Sequence, residues 1–257
     1  MNFMPNGDLA VCTWLGDIYL IHDPDKRISA ATYTRFASGL CEPMGLAVKD
    51  GAIHVGMKNE LGRVIDTDGD GTADRVERIR SDWSYTGHYN AFSYGPVIDL
   101  HGDFVLANAG HSGRWDAKYT GWAFRVAANG SKLTPICSGL REPNGIGVFG
   151  PDRDVFVTDN QGSWIGACRL DHVAQGKFHG HPSGWPSKEE NYGKHTAMDP
   201  PALWFPYKLC RSATDIMEIT SDKFGPFKGQ LLVGGFQNAI VMRVMLEKVN
   251  GEYQGAV

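Results

Sequence analysis

Two segments of this chain, which lie 100 residues apart, are closely similar. Residues 38–48 read SGLCEPMGLAV, and residues 138–148 read SGLREPNGIGV. Both lead through a turn into a second apolar segment, at residues 52–56 and 154–158. A repeat at a fixed spacing indicates a structural unit used more than once, and strand-rich, glycine-punctuated units are typical of propeller blades. A propeller gathers its chemistry at one end of a central channel, so the repeat also indicates where a site should lie.

Short apolar segments separated by turn residues fill the rest of the chain, and helical periodicity is almost absent. The 32 glycines and 13 prolines suit a fold with many tight turns. The segments group into about five sets at a spacing of roughly 50 residues, and propellers have about four to eight blades. The sequence therefore predicts one all-β domain over residues 1–257, a β-propeller of four-stranded blades.

The chain starts and stops inside blades, and a ring left open would expose an unpaired sheet edge. We therefore expect the chain to be an incomplete propeller, a fragment of a longer multidomain protein that supplies a sixth blade. A five-bladed ring closed by pairing of the two ends is the alternative. The net charge of −4 gives no basic footprint for nucleic acid, and no apolar run is long enough to cross a membrane. Residues 1–7 show no signal-peptide pattern.

Residues 66–77, DTDGDGTADRVE, match the calcium-loop pattern at every specified position. Carboxylates and one backbone carbonyl would supply the oxygens, from Asp66, Asp68, Asp70, Thr72, Asp74 and Glu77. Because the flanks are strand-like, the pattern predicts a calcium loop on a β-turn, and the bound ion would stiffen a blade. A closed cage leaves no open coordination position, so catalysis by this ion is not expected. The alternative is a solvated acidic turn.

Several motifs in the second half resemble a known family. Residues 139–145, GLREPNG, are similar to the Gly-His-Arg-Asn-Pro-Gln-Gly signature of soluble pyrroloquinoline-quinone (PQQ) sugar dehydrogenases, the glucose/sorbosone dehydrogenase family. Residues 159–162, DNQG, stand where that family has a Glu-Gln-Gly or Glu-His-Gly turn, and 176–182 resemble its Gly-x-Asn-Tyr-Gly-Trp-Pro. Residues 222–234 match its Asp-Lys-Phe-x-x-Trp-Lys-Gly-Asn-Leu-Leu-Val-Gly segment closely.

The acidic loop after a Glu-Pro-x-Gly-Leu-Ala-Val strand looks closer still to a group named for membrane-bound dehydrogenases. These are large secreted bacterial proteins in which such a propeller often precedes helical repeats and a cytochrome c domain. The resemblance implies a six-bladed propeller, a periplasmic or secreted location and a fused or separate cytochrome c as a partner.

The resemblance also implies roles for individual residues. Arg141 holds the position of the arginine that contacts the quinone, and a guanidinium suits the carboxylates of PQQ. The family's general base is a histidine that opens an inner strand, and His88 is the best candidate here. Gln237 stands where the family has a lysine, and the Asp-Glu pair after the Glu-Gln-Gly turn is absent. The candidate cofactor-binding residues are Arg141, Asn144, Asp159, Asn160 and Gln237.

Three functions remain open on the sequence. The leading interpretation is a quinoprotein-like oxidoreductase, with PQQ and calcium, that acts on a hydroxyl of a sugar or a related alcohol. The second is a non-catalytic scaffold or binding module of a larger secreted protein. The third comes from residues 143–146 and 157–160, which also resemble the gluconolactonase propellers. That resemblance implies a calcium-dependent lactonase, in which Asn144, Asp159 and Glu42 or Glu142 would hold a catalytic ion. Asn144 and Asp159 would alternatively satisfy backbone groups of their turns.

Other polar and aromatic side chains allow a functional and a structural interpretation. The histidines of the long loop would bind a metal or hydrogen-bond within it: His179, His181 and His195. The tryptophans near that loop would stack on a sugar or pack between blades: Trp164, Trp185 and Trp204. Arg211 is a weaker candidate for an anionic ligand. We favour packing for the histidines.

Overall fold

The computed structural model of the chain describes residues 1–26, 30–84, 87–111, 117–184 and 197–257. Within these ranges it contains twenty β-strands and two short 3-10 helices, and no α-helix. The strands form five antiparallel sheets of four strands each, and every sheet follows chain order. This arrangement confirms the predicted all-β propeller of four-stranded blades.

The strands are short and evenly distributed along the chain. The first blade contains β1 (Asn2–Phe3), β2 (Leu9–Cys12), β3 (Ile18–His22) and β4 (Thr32–Ala37). The second contains β5 (Gly45–Lys49), β6 (Ala52–Gly56), β7 (Leu61–Ile65) and β8 (Arg75–Arg80). The third contains β9 (Ser93–Ile98), β10 (Phe104–Asn108), β11 (Trp122–Val126) and β12 (Leu133–Ser138). The fourth contains β13 (Pro143–Phe149), β14 (Asp154–Asp159), β15 (Arg169–His172) and β16 (Leu203–Trp204). The fifth contains β17 (Ala213–Glu218), β18 (Leu231–Gly235), β19 (Ile240–Val249) and β20 (Glu252–Ala256).

The first strand of each blade lies at the centre, and these inner strands pack beside one another in chain order. The repeat explains how closely they approach. A Cβ added to Gly45 would lie 2.5 Å from the carbonyl oxygen of Gly95, and one added to Gly145 would lie 2.3 Å from that of Thr214. The glycine of each Glu-Pro-x-Gly motif is therefore required because the neighbouring inner strand occupies the space of a side chain.

The hydrophobic core is divided among the blade interfaces. Each of the four buried apolar clusters joins two blades that are neighbours in the chain. Such packing fixes the angle between successive sheets, because large side chains on facing sheets interdigitate.

Antiparallel strands in chain order sort the connections into two faces. One face, here called the mouth face, carries the loops that lead into the inner strands and the loops that join second to third strands. The other face carries the loops from first to second strands and most of those from third to fourth. The exception is the long connection from β15 to β16. It runs back beside β12, with Phe178 bridged to Ser138, and so brings His181 to Gly139.

Candidate active site

A cavity of about 640 Å³ runs along the inner strands. At the mouth face its walls include Trp14, Met44, Tyr94 and Asn144. The candidate residues His88, Arg141, Asn160 and Gln237 all lie in loops of this face. The calcium-loop residues 66–74 connect β7 to β8 and therefore lie on the opposite face.

His88 and Arg141 come together at the mouth through a residue that the sequence analysis missed. The ring of His88 lies 6.2 Å from the ring of His111, centroid to centroid. The backbone N–H groups of Gly110 and His111 both donate to the carbonyl oxygen of Arg141, at 2.8 Å. Burial and the positive charge of Arg141 lower the pKa of His111, so its imidazole is neutral at pH 7.

The two histidines differ in how their rings are held. His88 is half-buried and stacks on Tyr89 at 4.8 Å between ring centroids. Its Nδ1 accepts from the N–H of Asn90 at 3.2 Å, which favours the tautomer with hydrogen on Nε2. No hydrogen bond of the His111 ring is found among the described residues, so neither tautomer of His111 is imposed.

Arg141 is held at both its backbone and its side chain. Its N–H donates to Asp159 Oδ2 at 2.9 Å, and its Nη1 donates to the carbonyl oxygen of Gln161 at 3.0 Å. Its Nε is buried without a hydrogen-bond partner. A Cβ added to Gly162 would lie 2.2 Å from the guanidinium carbon, so only glycine leaves room for this arrangement. Nη2 also donates to none of the described residues, so Nε and Nη2 are the guanidinium nitrogens left for a ligand.

Asp159 is completely buried and its two oxygens are engaged by the protein. Besides the N–H of Arg141, it accepts from the N–H of Glu142 at 2.6 Å and from Arg169 Nη2 at 2.8 Å. Asn144 donates its side-chain amide to the carbonyl oxygen of Ala213 at 3.3 Å. Both residues thus form hydrogen bonds with backbone groups, which is the structural alternative to metal binding that the sequence analysis gave for them.

Asn160 and Gln237 have different surroundings. The N–H of Asn160 donates to the carbonyl oxygen of Glu142 at 3.1 Å, which ties its turn to the Arg141 loop. Gln237 is exposed on the β18–β19 loop, next to Asn238, whose side chain donates to the carbonyl oxygen of Leu209 at 2.8 Å. Asn160 therefore supports the Arg141 site, and Gln237 projects from the rim of the mouth face.

Glu142 is a second group that the sequence did not assign to the oxidoreductase site. Its Oε1 accepts from the hydroxyl of Tyr94 at 3.1 Å, and its Oε2 is buried without a partner. Burial raises the pKa of Glu142 to about 8, assisted by the charge of Asp159. The carboxyl is consequently protonated and uncharged at pH 7.

A buried ion network lies directly behind this site. Arg169 pairs with Asp159 and, through Nε, with Asp171 Oδ2 at 2.8 Å. His179 Nδ1 lies 3.3 Å from Asp171 Oδ1. Burial alone would lower the pKa of His179, but Asp171 outweighs it and raises this pKa to about 10. The network therefore holds two positive and two negative charges at pH 7, all removed from solvent.

His181 packs against the mouth loops as a neutral side chain. Its N–H donates to the carbonyl oxygen of Gly139 at 2.8 Å, and its Nδ1 lies 2.7 Å from Ser183 Oγ. Burial and the charge of Arg141 lower its pKa to about 3. His179 and His181 thus have the packing and hydrogen-bonding surroundings that we favoured. His195 and Trp185 lie outside the described residues.

The remaining candidates lie at the surface of the mouth face. Trp164 is 63% exposed, and Trp204 is exposed on β16 with the guanidinium of Arg169 at 5.8 Å from its ring. Arg211 lies over the ring of Tyr207, at 5.3 Å. None of these contacts involves His88 or Arg141.

The acidic loop gathers three of its carboxylates. One oxygen each from Asp66, Asp68 and Asp74 lie within 4.8 Å of one another. Within the part of the chain that the structure describes, these are the only three carboxylates, imidazoles or thiols grouped so closely. Glu77 instead pairs with Arg63 on the adjacent strand, at 3.2 Å. Backbone N–H groups of the loop point at the carboxylates, as those of Gly69 and Gly71 do at Asp66.

The position of a residue within its blade predicts further residues of the mouth face, which the motifs did not indicate. In every blade, the residue two or three places beyond the second strand lies in a mouth-face loop. In chain order these residues are Trp14, Lys58, His111, Gln161 and Gln237. The signal is visible only when the blades are aligned with one another, because the five residue types differ.

No family model matches this sequence, and no curated protein matches it. Several solved structures share its fold. An oxidoreductase of Thermus thermophilus described as a glucose dehydrogenase has 14% identity and a TM-score of 0.74, over 99% of this chain and 80% of that one. The calcium structure of a Trichoderma reesei carbohydrate-active enzyme of family AA12 has 14% identity and a TM-score of 0.70, over 98% and 78%. The holo PQQ domain of a Coprinopsis cinerea pyranose dehydrogenase has 12% identity and a TM-score of 0.69, over 99% and 77%.

At these identities the likeness concerns the fold, and it confirms the predicted resemblance to the sugar-dehydrogenase propellers. Among the described residues, no helix is long and apolar enough to cross a membrane.

Proposed function

We propose that this propeller is a quinoprotein-like oxidoreductase that oxidises a hydroxyl group of a sugar or a related alcohol. The observation that carries the proposal is the meeting of His88, His111 and Arg141 in the loops of the mouth face. A base and an anion-binding cation close together are the groups that such a reaction needs. The shared fold with the PQQ domain of the pyranose dehydrogenase supports the same reaction class.

The residues around Arg141 fit a tricarboxylate quinone. The buried Nε of Arg141 has no partner, and a carboxylate or quinone oxygen would satisfy it. Its acidic neighbour Glu142 is uncharged at pH 7, and His111 and His181 are neutral. The charge of Asp159 is already paired with Arg169, so it opposes an anionic ligand only weakly. Arg141 would hold PQQ, which when bound accepts the hydride of the alcohol carbon.

The chain's own task is to take the hydroxyl proton of the substrate. His88 would do so through Nε2 only in the tautomer with hydrogen on Nδ1, which gives up the N–H contact from Asn90. His111 is neutral and its ring is not committed to a tautomer, so it is the second candidate for the base. The two rings lie edge to face, 6.2 Å apart between centroids.

We assign a structural calcium ion to the loop of Asp66, Asp68, Asp70, Thr72, Asp74 and Glu77. Three carboxylates already converge there and would repel one another without a cation. Completion of the cage requires Glu77 to leave Arg63. Because the loop lies on the face opposite the mouth, its calcium would stabilise the second blade and take no part in the oxidation.

We also infer a periplasmic or secreted location and a cytochrome c as electron acceptor. Both follow from the sequence resemblance to large secreted bacterial dehydrogenases. A separate acceptor is chemically required, since a quinone that has taken two electrons must return them before the next turnover.

The test is a titration of the purified chain with PQQ, with and without calcium, followed by aldose oxidation with a dye acceptor. We expect H88Q or H111Q to lower kcat by about 100-fold or more, as loss of a general base does. R141K should weaken PQQ binding, because lysine lacks the forked donors. H101Q is the matched control, since His101 is exposed on the opposite face.

Absence of PQQ binding to the wild-type chain would refute the oxidoreductase and favour the scaffold. The lactonase has less support. Both oxygens of Asp159 are engaged by Arg141, Glu142 and Arg169, and Asn144 is turned to a backbone carbonyl.

A further inference from the structure

A second cluster of polar and aromatic side chains lies at the mouth, on the first two blades and the start of the third. We call it the Trp14 cluster, and it consists of Trp14, Glu42, Lys58 and Phe92. Trp14 forms part of the cavity wall and is 56% exposed. None of these four residues has a task in the reaction proposed above.

The polar atoms of the cluster converge on one carboxylate oxygen. Glu42 Oε2 accepts from Lys58 Nζ at 2.7 Å and from the indole N–H of Trp14 at 3.3 Å. Oε1 of Glu42 accepts no hydrogen bond from the described residues, and its side chain is 36% exposed. The hydrogen bond from Lys58 lowers the pKa of Glu42, so the free oxygen belongs to an ionised acceptor that faces solvent.

The aromatic members connect the cluster to the cavity. Phe92 meets Trp14 edge to face at 6.4 Å and Tyr94 at 6.0 Å, centroid to centroid. The ammonium of Lys58, which is only 7% exposed, lies 5.5 Å from the centre of the Phe92 ring. The cluster is therefore continuous with the cavity wall at Tyr94, and Lys58 is held in place by packing.

The backbone at Glu42 supports a role beyond packing. Its φ is 45°, in the left-handed region that non-glycine residues seldom occupy. The equivalent glutamate of the repeat, Glu142, is not among the residues with positive φ. Strained backbone of this kind concentrates at functional sites, where the surrounding structure enforces it. In this conformation the Glu42 side chain lies against Trp14 and Lys58.

We propose that the Trp14 cluster is a second saccharide subsite, which binds the sugar ring adjoining the one that is oxidised. The inference rests on the proposed function and extends its substrate class to oligosaccharides. An exposed indole offers an apolar face to the C–H face of a sugar ring, and its polar edge is already satisfied by Glu42. Glu42 accepts from sugar hydroxyls, and the Lys58 ammonium orients the carboxylate. Because the cluster is already assembled, little ordering opposes binding.

The test measures binding to the apo protein by calorimetry, so that it does not depend on oxidation. The probes are glucose, cellobiose, cellotriose, maltose and maltotriose. The wild-type chain should bind one disaccharide series more tightly than glucose. W14A should reduce the ratio of oligosaccharide to glucose affinity about tenfold, the scale of one lost aromatic contact. E42Q, which keeps the shape of the side chain, should reduce the ratio several-fold.

F224A is the control, since Phe224 is an exposed aromatic residue in the connection from β17 to β18, on the opposite face. It should leave the affinity ratio unchanged. Equal losses in W14A and F224A, or no gain from a second sugar ring in the wild type, would overturn the subsite. If W14A fails to fold, E42Q decides alone. If the wild type binds oligosaccharides in this way yet oxidises none with PQQ present, the proposed function fails and the subsite stands.

Discussion

The buried ion network should make this propeller less stable at alkaline pH, because one of its histidines loses its charge there. His179 is almost completely buried against Asp171, and its pKa is raised to about 10 from an ordinary value of 6.5. A group with a raised pKa contributes stability that is complete below the unfolded-state pKa and is lost as pH rises through the folded-state pKa. The window for His179 therefore runs from about pH 6.5 to pH 10.

The expected magnitude follows from the size of the shift. Each pKa unit corresponds to about 1.4 kcal/mol, so the free energy of unfolding should fall by about 1.4 kcal/mol per pH unit across that window. The full loss is on the order of 4–5 kcal/mol, a large part of the stability of a typical domain. Removal of the imidazole in H179Q should lower the free energy of unfolding most below pH 6.5 and little near pH 10.

The assay is urea unfolding of the wild type, H179Q and H101Q at several values between pH 6 and pH 10. Groups that titrate in all three proteins cancel in the differences. H101Q, at an exposed site, should follow the wild type. A destabilisation by H179Q that is constant across the range would refute the charged pair. If H179Q does not fold, the ring titration of His179 in the wild type, followed by NMR, must show a pKa well above 6.5.

Three further predictions concern separate parts of the molecule. G162A should displace the adjacent guanidinium and weaken quinone binding. G166A, which has open space around its Cβ, should leave binding unchanged in the same titration. Because the pKa of Glu142 is raised, the wild type should lose stability as pH rises from 4.5 to about 8, and E142Q should not show this loss. The free energy of unfolding of E142Q relative to the wild type should therefore be higher at pH 8 than at pH 5. D66N should reduce the rise in melting temperature on adding calcium, and an equal rise in variant and wild type would contradict the metal loop.

The blade architecture could be predicted because its determinants are local and periodic. The Glu-Pro-x-Gly repeat marked β5 and β13, and the structure shows why glycine recurs there, since Gly45 and Gly145 leave space for the next inner strand. β16 was not predicted. It has only two residues after two prolines, too few for an alternating pattern, and it forms because Leu203 and Trp204 pair with β15.

Only some residues of the candidate site could be predicted from the sequence. His88 and Arg141 were reached through motifs, because each opens an inner strand. His111 and Lys58 were not, since the loops that carry them show no motif and reach the mouth only through the angle between blades. The protonation states were also hidden, because they depend on burial and on contacts with Tyr94, Asp159 and Asp171, which no motif links to Glu142 or His179.

Duplication of a segment has given this protein two glutamates at one motif position with opposite chemistry. Glu42 has a lysine beside it and is an anion, whereas Glu142 has a phenol and is a neutral acid. The polarity of the entrance is consequently uneven around its circumference, with an anionic acceptor on one arc and an uncharged one beside Arg141. The acid groups of an approaching molecule should avoid the first arc, and its hydroxyls should prefer it. Such a molecule therefore has one favoured orientation before any closer contact is made.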